Sequence, residues 1–303
     1  MFVPLGLRRI ILLWLPPIIV EAIRYLRRSC AKLSPASGAR QESSDSAMVP
    51  EWEMVPDTDE VWKRSEGWSH RSIAQIQLGK WKDFLATVES TQPFGQSHEA
   101  SANALPNIAA HNTILSFGYA LGRAINGHKR ISVLDWGGGL GHYYVYARKL
   151  YPEISFDFVV KDLPELCQIG KTLLPDVTFV SDEQQALSRQ YDFVFASSSL
   201  HYARDHYGLL GRLCESAGNW LMITRTPIVE RSDDFLVVQR PHMYGYMTEY
   251  PGWFMNRRRL IGSVTDRKFR LEREFLVGEQ PNVSNAPEKA QYFGYLFCRA
   301  ESA

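Results

Sequence analysis

Cysteine is scarce. Four occur in 303 residues, Cys30, Cys167, Cys214 and Cys298, and no two share a C-x-x-C spacing. That leaves no basis for a thiolate zinc site, a redox pair or a disulfide framework. A reducing, cytoplasmic setting is expected, with Cys214 and Cys298 as small buried hydrophobes. Long apolar runs are missing too. Residues 10–20, IILLWLPPIIV, form a run of 11 that Pro16-Pro17 interrupts, whereas a spanning helix needs roughly 20. No small-residue cleavage site follows it, so a signal peptide is not expected. Charge of one sign is not in excess: 34 Lys and Arg against 33 Asp and Glu leave +1. No global field favours nucleic acid, and no nucleic-acid partner is expected. With 45% hydrophobic and 22% charged side chains, the composition excludes a disordered chain, a collagen-like chain and a polytopic membrane protein.

What charge asymmetry exists lies at the N-terminus. Residues 1–50 hold seven basic and three acidic side chains, a balance of +4, against −3 for the rest. From Pro17 the apolar spacing becomes helical. Ile18, Ile19, Ala22, Ile23 and Leu26 share one face, and Glu21, Arg24, Arg27 and Arg28 share the other. Residues 1–28 thus read as a basic amphipathic helix, able to lie on the inner face of an anionic membrane. Packing on its own domain or on a partner subunit is the alternative, and the oligomeric state stays open. Residues 29–50 are rich in Ser, Ala and Pro and read as a flexible linker. Residues 51–130 read as a helical cap, and 131–303 as the main domain.

The most informative stretch is 131–144, ISVLDWGGGLGHYY. An apolar strand ends in Asp135, a glycine loop follows, and then a helical pattern. Glycines let backbone N–H groups approach a ligand, and the helix N-terminus adds partial positive charge. The dinucleotide fingerprint G-x-G-x-x-G would need glycine at 142 or 144, where His142 and Tyr144 stand. The spacing is instead D-x-G-x-G-x-G, built on Asp135, Gly137, Gly139 and Gly141. It resembles the first motif of class I S-adenosylmethionine-dependent methyltransferases. That resemblance implies S-adenosyl-L-methionine as cofactor, its amino-acid part on the loop. Residues 155–162, SFDFVVKD, read as a second strand ending in Asp162, 27 residues after Asp135. An acid at that tip can accept both ribose hydroxyls of an adenosine, and KDLPEL resembles the family's second motif. Asp182 closes a third strand, either as an adenine contact or as a helix N-cap.

Residues 191–202, YDFVFASSSLHY, read as the fourth strand and its loop and match the family's pattern of a strand followed by Leu-His. Ser197 is expected at the cofactor. Ser197, Ser198 and Ser199 stand where metal-dependent relatives carry acids, so no catalytic metal is expected. A fifth strand, 219–227, is expected to close at Pro227 with Arg225 facing the acceptor. Residues 228–255, with Tyr244 and Tyr246 among dense aromatics, read as an acceptor-binding wall or as an aromatic subcluster under a long loop. Arg257, Arg258 and Arg259 read as a solvated helix face. A hairpin, 269–277 and 291–300, completes the resemblance to an α/β Rossmann-like, seven-stranded methyltransferase sheet, mostly parallel, with helices on both faces and an N-terminal helical extension.

The strings SHEA (97–100), His111-Asn112 and MYGYMTEYPGWFMNRRRL, taken with Pro16-Pro17, resemble a narrower, largely uncharacterised methyltransferase-type family associated with bacterial surface-polysaccharide biosynthesis. That likeness implies a saccharide or other small-molecule acceptor. A hydroxyl acceptor needs a base, for which histidine is suited at neutral pH. The order of expectation is His201, then His142, then His98 or His111. Two other readings stand beside it: a non-catalytic cofactor-fold module in a membrane-associated glycan assembly, and a nicotinamide-dependent oxidoreductase.

Overall fold

The computed structural model describes residues 50–95, 107–283 and 285–300. The arm at 1–28, nearly all of the linker, His98 and Glu99 lie outside the described residues. Ten strands occur among those described: β1 (Trp52–Val55), β2 (Arg130–Trp136), β3 (Ser155–Lys161), β4 (Thr178–Val180), β5 (Tyr191–Ser197), β6 (Ala217–Val229), β7 (Phe235–Gln239), β8 (Tyr250–Asn256), β9 (Phe269–Leu276) and β10 (Gln291–Arg299). The helices are α1 (Asp59–Lys63), α2 (Arg71–Glu89), α3 (Ile108–Ile125), α4 (His142–Leu150), α5 (Pro164–Leu173), α6 (Glu183–Ala186), α7 (His206–Ser216) and α8 (Arg257–Thr265).

Seven strands form the expected sheet in the order β4-β3-β2-β5-β6-β10-β9. The first five run parallel, and β10 inserts antiparallel between β6 and β9. Strand order reverses between β2 and β5, where a crevice opens at the carboxyl ends of the strands. Parallel strands buried on both faces need continuous apolar runs, and side chains alternate between faces. Accordingly Phe193 and Phe195 join a core with Phe117, Leu121 and Val133 on one face. Val194 and Ala196 join Leu209, Leu213 and Leu260 on the other.

Three strands extend this sheet beyond the sequence expectation. β8 pairs in parallel with the end of β6 at Ile228–Met255 and Val229–Asn256, and β7 and β1 add antiparallel beyond it. Residues 228–255 are therefore mainly a β-hairpin, and the segment read as a helical cap donates an edge strand. The fifth strand does not stop at Pro227. It runs on to Val229 through a bulge, where the register of β10 shifts between Phe293 and Tyr295. Arg225 sits at that bulge with φ +49°, the local kink an extra residue imposes. Its side chain turns to Glu279 at 3.0 Å. The basic run at 257–259 is partly paired: Arg257 binds Glu274, and Arg259 reaches Asp234 at 2.9 Å. Cys167, Cys214 and Cys298 are buried free thiols. No described helix is long and apolar enough to cross a membrane.

Candidate functional site

A cavity of about 290 Å³ opens at the reversal point. Its walls come from the loop after β2 (Trp136, Gly137, Gly138, Gly139), the tip of β3 (Lys161, Asp162), the tip of β5 (Ser197, Ser198, Ser199) and the start of α4 (His142, Tyr143). Trp68 and Gln77 close it from the N-terminal segment.

The glycine loop is shaped by its own backbone. Gly137, Gly139 and Gly141 have φ of +74°, +59° and +89°, a region that side chains with a Cβ rarely enter. Gly137 has a second constraint, because a Cβ there would overlap Ser199. Gly141 serves as N-cap of α4 and is not on the cavity wall. The Gly137 N–H donates to Lys161 O at 2.8 Å, which ties the loop to β3. The Gly139 N–H donates to Asp162 Oδ2, and the Leu163 N–H to Asp162 Oδ1, each at 2.7 Å. Burial raises the pKa of Asp162, opposed by those two N–H groups and by Lys161. Both carboxylate oxygens keep lone pairs for a ligand.

Asp135 lies beneath the loop, under Gly138, 1% exposed and off the cavity wall. Neither of its carboxyl oxygens has a hydrogen-bond partner. Burial, with Asp162 nearby, pushes its pKa well above the usual carboxylate range. At the tip of β5, Ser197 Oγ and the Tyr143 hydroxyl are 2.8 Å apart, and Ser199 Oγ donates to Trp136 O at 2.7 Å. Lys161 Nζ stands 4.7 Å from the centre of the Trp136 ring, within cation–π range.

The four candidate histidines separate. His142 lines the cavity, 6% exposed, edge-on to Trp81 and Phe84 at 5.1 and 4.7 Å between ring centres. His201 does not. It is 1% exposed in the turn at 200–202, off the cavity wall, against Tyr202, with no hydrogen bond at either ring nitrogen. Burial, with Arg225 and His206 nearby, lowers its pKa to about 3. Buried and off the wall, the first-ranked candidate does not stand where a base serving the cavity would act. His111 stands on α3, away from the cavity, and His98 lies outside the described residues.

Other expected residues hold structural positions. Asp182 is the N-cap of α6, accepting from the Gln185 N–H at 2.7 Å, and Glu183 lines the cavity beside it. Arg225 is drawn to Glu279, away from the cavity wall. Tyr246 is fully buried edge-on to Trp68, and Tyr244 sits in the turn at 242–244; neither lines the cavity. Their loop instead fastens the turn that carries Trp68. Met247 N–H donates to Ser72 Oγ at 3.2 Å and Thr248 Oγ1 to Gly67 O at 3.3 Å, while Trp68 stacks on Tyr250 at 4.4 Å. Buried Arg240 binds Glu53 at 2.7 Å and Glu249 at 3.0 Å, linking β1 to the same loop.

Sequence reasoning passed over Trp68, Gln77, Tyr143 and Lys161. Gln77 left a signal: it is the polar residue on the buried stripe Ile73, Ala74, Gln77, Trp81, Phe84, Val88 of α2. No three His, Cys, Asp or Glu side chains among the described residues converge as metal ligands would.

No family model matches the chain, and no curated protein matches it. Solved structures do show likeness. Magnesium protoporphyrin IX methyltransferase from Synechocystis PCC 6803, with bound S-adenosylmethionine, is 12% identical with a TM-score of 0.45, over 75% of this chain and 95% of that one. A 1,6-didemethyltoxoflavin-N1-methyltransferase from Burkholderia thailandensis is 14% identical with a TM-score of 0.42, over 62% of this chain and 78% of that one. An O-methyltransferase family protein from the same organism is 17% identical with a TM-score of 0.41, over 76% of this chain and 71% of that one.

Proposed function

We propose that the chain is a methyltransferase that takes S-adenosylmethionine as methyl donor. The carrying observation is the cavity at the strand-order reversal, where the loop of D-x-G-x-G-x-G meets Asp162 through the 2.7 Å Gly139 bond. The residues present fit that cofactor. Asp162 offers free lone pairs to a ribose diol, as an acid at this strand tip can. Gln77 holds an acceptor oxygen without a partner beside the loop, which suits a ligand that brings donors. When bound, the cofactor supplies a methyl group on a sulfonium, open to in-line displacement.

The chain's own contribution is to bind, orient and exclude water. Trp68, Trp136, Tyr143 and Tyr202 give the cavity aromatic walls. As acceptor we propose a saccharide or saccharide precursor hydroxyl, in surface-polysaccharide synthesis. What supports this is the resemblance of the SHEA, His-Asn and late aromatic strings to the narrower family. Of the described candidate histidines, His142 is the one on the wall, and it takes the place proposed for the proton acceptor.

Calorimetry on the full chain tests the cofactor. S-adenosylmethionine should bind the parent and bind Asp162→Ala at least about tenfold more weakly, about 1.4 kcal/mol. A folded parent that binds none overturns the proposal.

A further inference from the structure

We infer that Gln77 is a ligand contact: its side-chain amide holds the α-ammonium of the cofactor's amino-acid end. The inference rests on the function proposed above and assigns a residue outside the D-x-G-x-G-x-G loop.

Gln77 stands where the stripe of α2 calls for an apolar residue, and it is 5% exposed. Its Oε1 has no hydrogen-bond partner. A buried amide oxygen left so is costly, so a donor is expected to reach it. The side chain lines the cavity, and its oxygen lies against the glycine loop, 2.9 Å from where a Cβ on Gly139 would stand. A side chain at 139 would therefore strike Gln77, and the glycine keeps this approach open. Asp135 lies under the neighbouring Gly138, also buried and also without a partner. The loop thus has buried polar groups without partners on two sides, Gln77 on the cavity wall and Asp135 beneath it, while Asp162 serves the β3 side. An ammonium has three donors and a charge that suits this setting. A ribose hydroxyl has one donor and no charge.

The test compares two ligands on the full chain by calorimetry. S-adenosylhomocysteine carries the amino-acid end; 5′-methylthioadenosine has the same nucleoside and thioether without it. Gln77→Leu keeps the bulk and removes the acceptor. It should weaken S-adenosylhomocysteine about tenfold and 5′-methylthioadenosine by no more than about twofold. Gln77→Glu keeps an acceptor and adds charge, so it should bind S-adenosylhomocysteine more tightly than the parent does, relative to 5′-methylthioadenosine. Equal loss on both ligands, or no loss on S-adenosylhomocysteine, overturns the inference. Should Gln77→Leu fail to fold, Gln77→Glu decides alone: a ratio shifted towards S-adenosylhomocysteine supports the contact, and an unchanged or opposite ratio overturns it. A parent that binds neither ligand overturns the proposed function itself, whereas a parent that binds both leaves only Gln77 at stake.

Discussion

Replacing His201 with leucine separates a buried structural ring from a working base. The side chain is 1% exposed, and its folded pKa is about 3 against an ordinary 6.5. The folded chain therefore stays neutral at this ring while the unfolded chain takes up a proton below about 6.5. Stability falls as pH drops through that window and levels off below about 3. From pH 7 to pH 5 this one group accounts for a loss of about 2 kcal/mol. Leucine has a similar volume and no polar atom, so at pH 7 the variant should lie within about 1.5 kcal/mol of the parent. It should lack the acid-side loss, since an unpaired buried group has been removed. Urea unfolding of both proteins at the two pH values reads the difference. Equal pH dependence, within about 0.5 kcal/mol, would refute the burial argument and restore His201 as a titrating candidate base.

Other outcomes follow from local geometry. Gly137→Ala forces a Cβ into a φ of +74° and against Ser199; it should cost at least about 2 kcal/mol in chemical unfolding and abolish calorimetric binding of S-adenosylhomocysteine. Glu288 accepts from the N–H groups of Arg231 and Ser232, both at 2.9 Å, and of Glu230 at 3.3 Å, which lowers its pKa from 4.5 to about 2. Its stabilisation is present above pH 4.5 and lost as pH falls towards 2. Glu288→Gln should therefore lower the melting temperature at pH 7, and the gap to the parent should close in acid.

Much of the chain was legible before folding because its cues act over a few residues. The D-x-G-x-G-x-G loop announces positive φ, since only glycine enters that region without strain. Helix starts are similarly local: Asn256 caps the Arg259 N–H at 3.1 Å, and Asp182 caps Gln185 at 2.7 Å. The apolar runs of β2, β3 and β5 declare strands covered on both faces. The candidate histidines, by contrast, could be ordered only by their predicted place at the sheet's carboxyl edge. Only packing set His142 on the cavity wall and sealed His201 among rings, because burial depends on distant elements that no local pattern reports. Arg225 read as a strand tip, yet the register of β10 made it a bulge. Residue patterns by themselves marked the strands, the glycine loop and the acid at β3, and the family resemblance they carry implied the open parallel sheet. Tertiary structure alone decided that β1 pairs with β7, that the hairpin loop braces Trp68 and that Gln77 meets Gly139, because each joins segments far apart in sequence whose register is set by the assembled core.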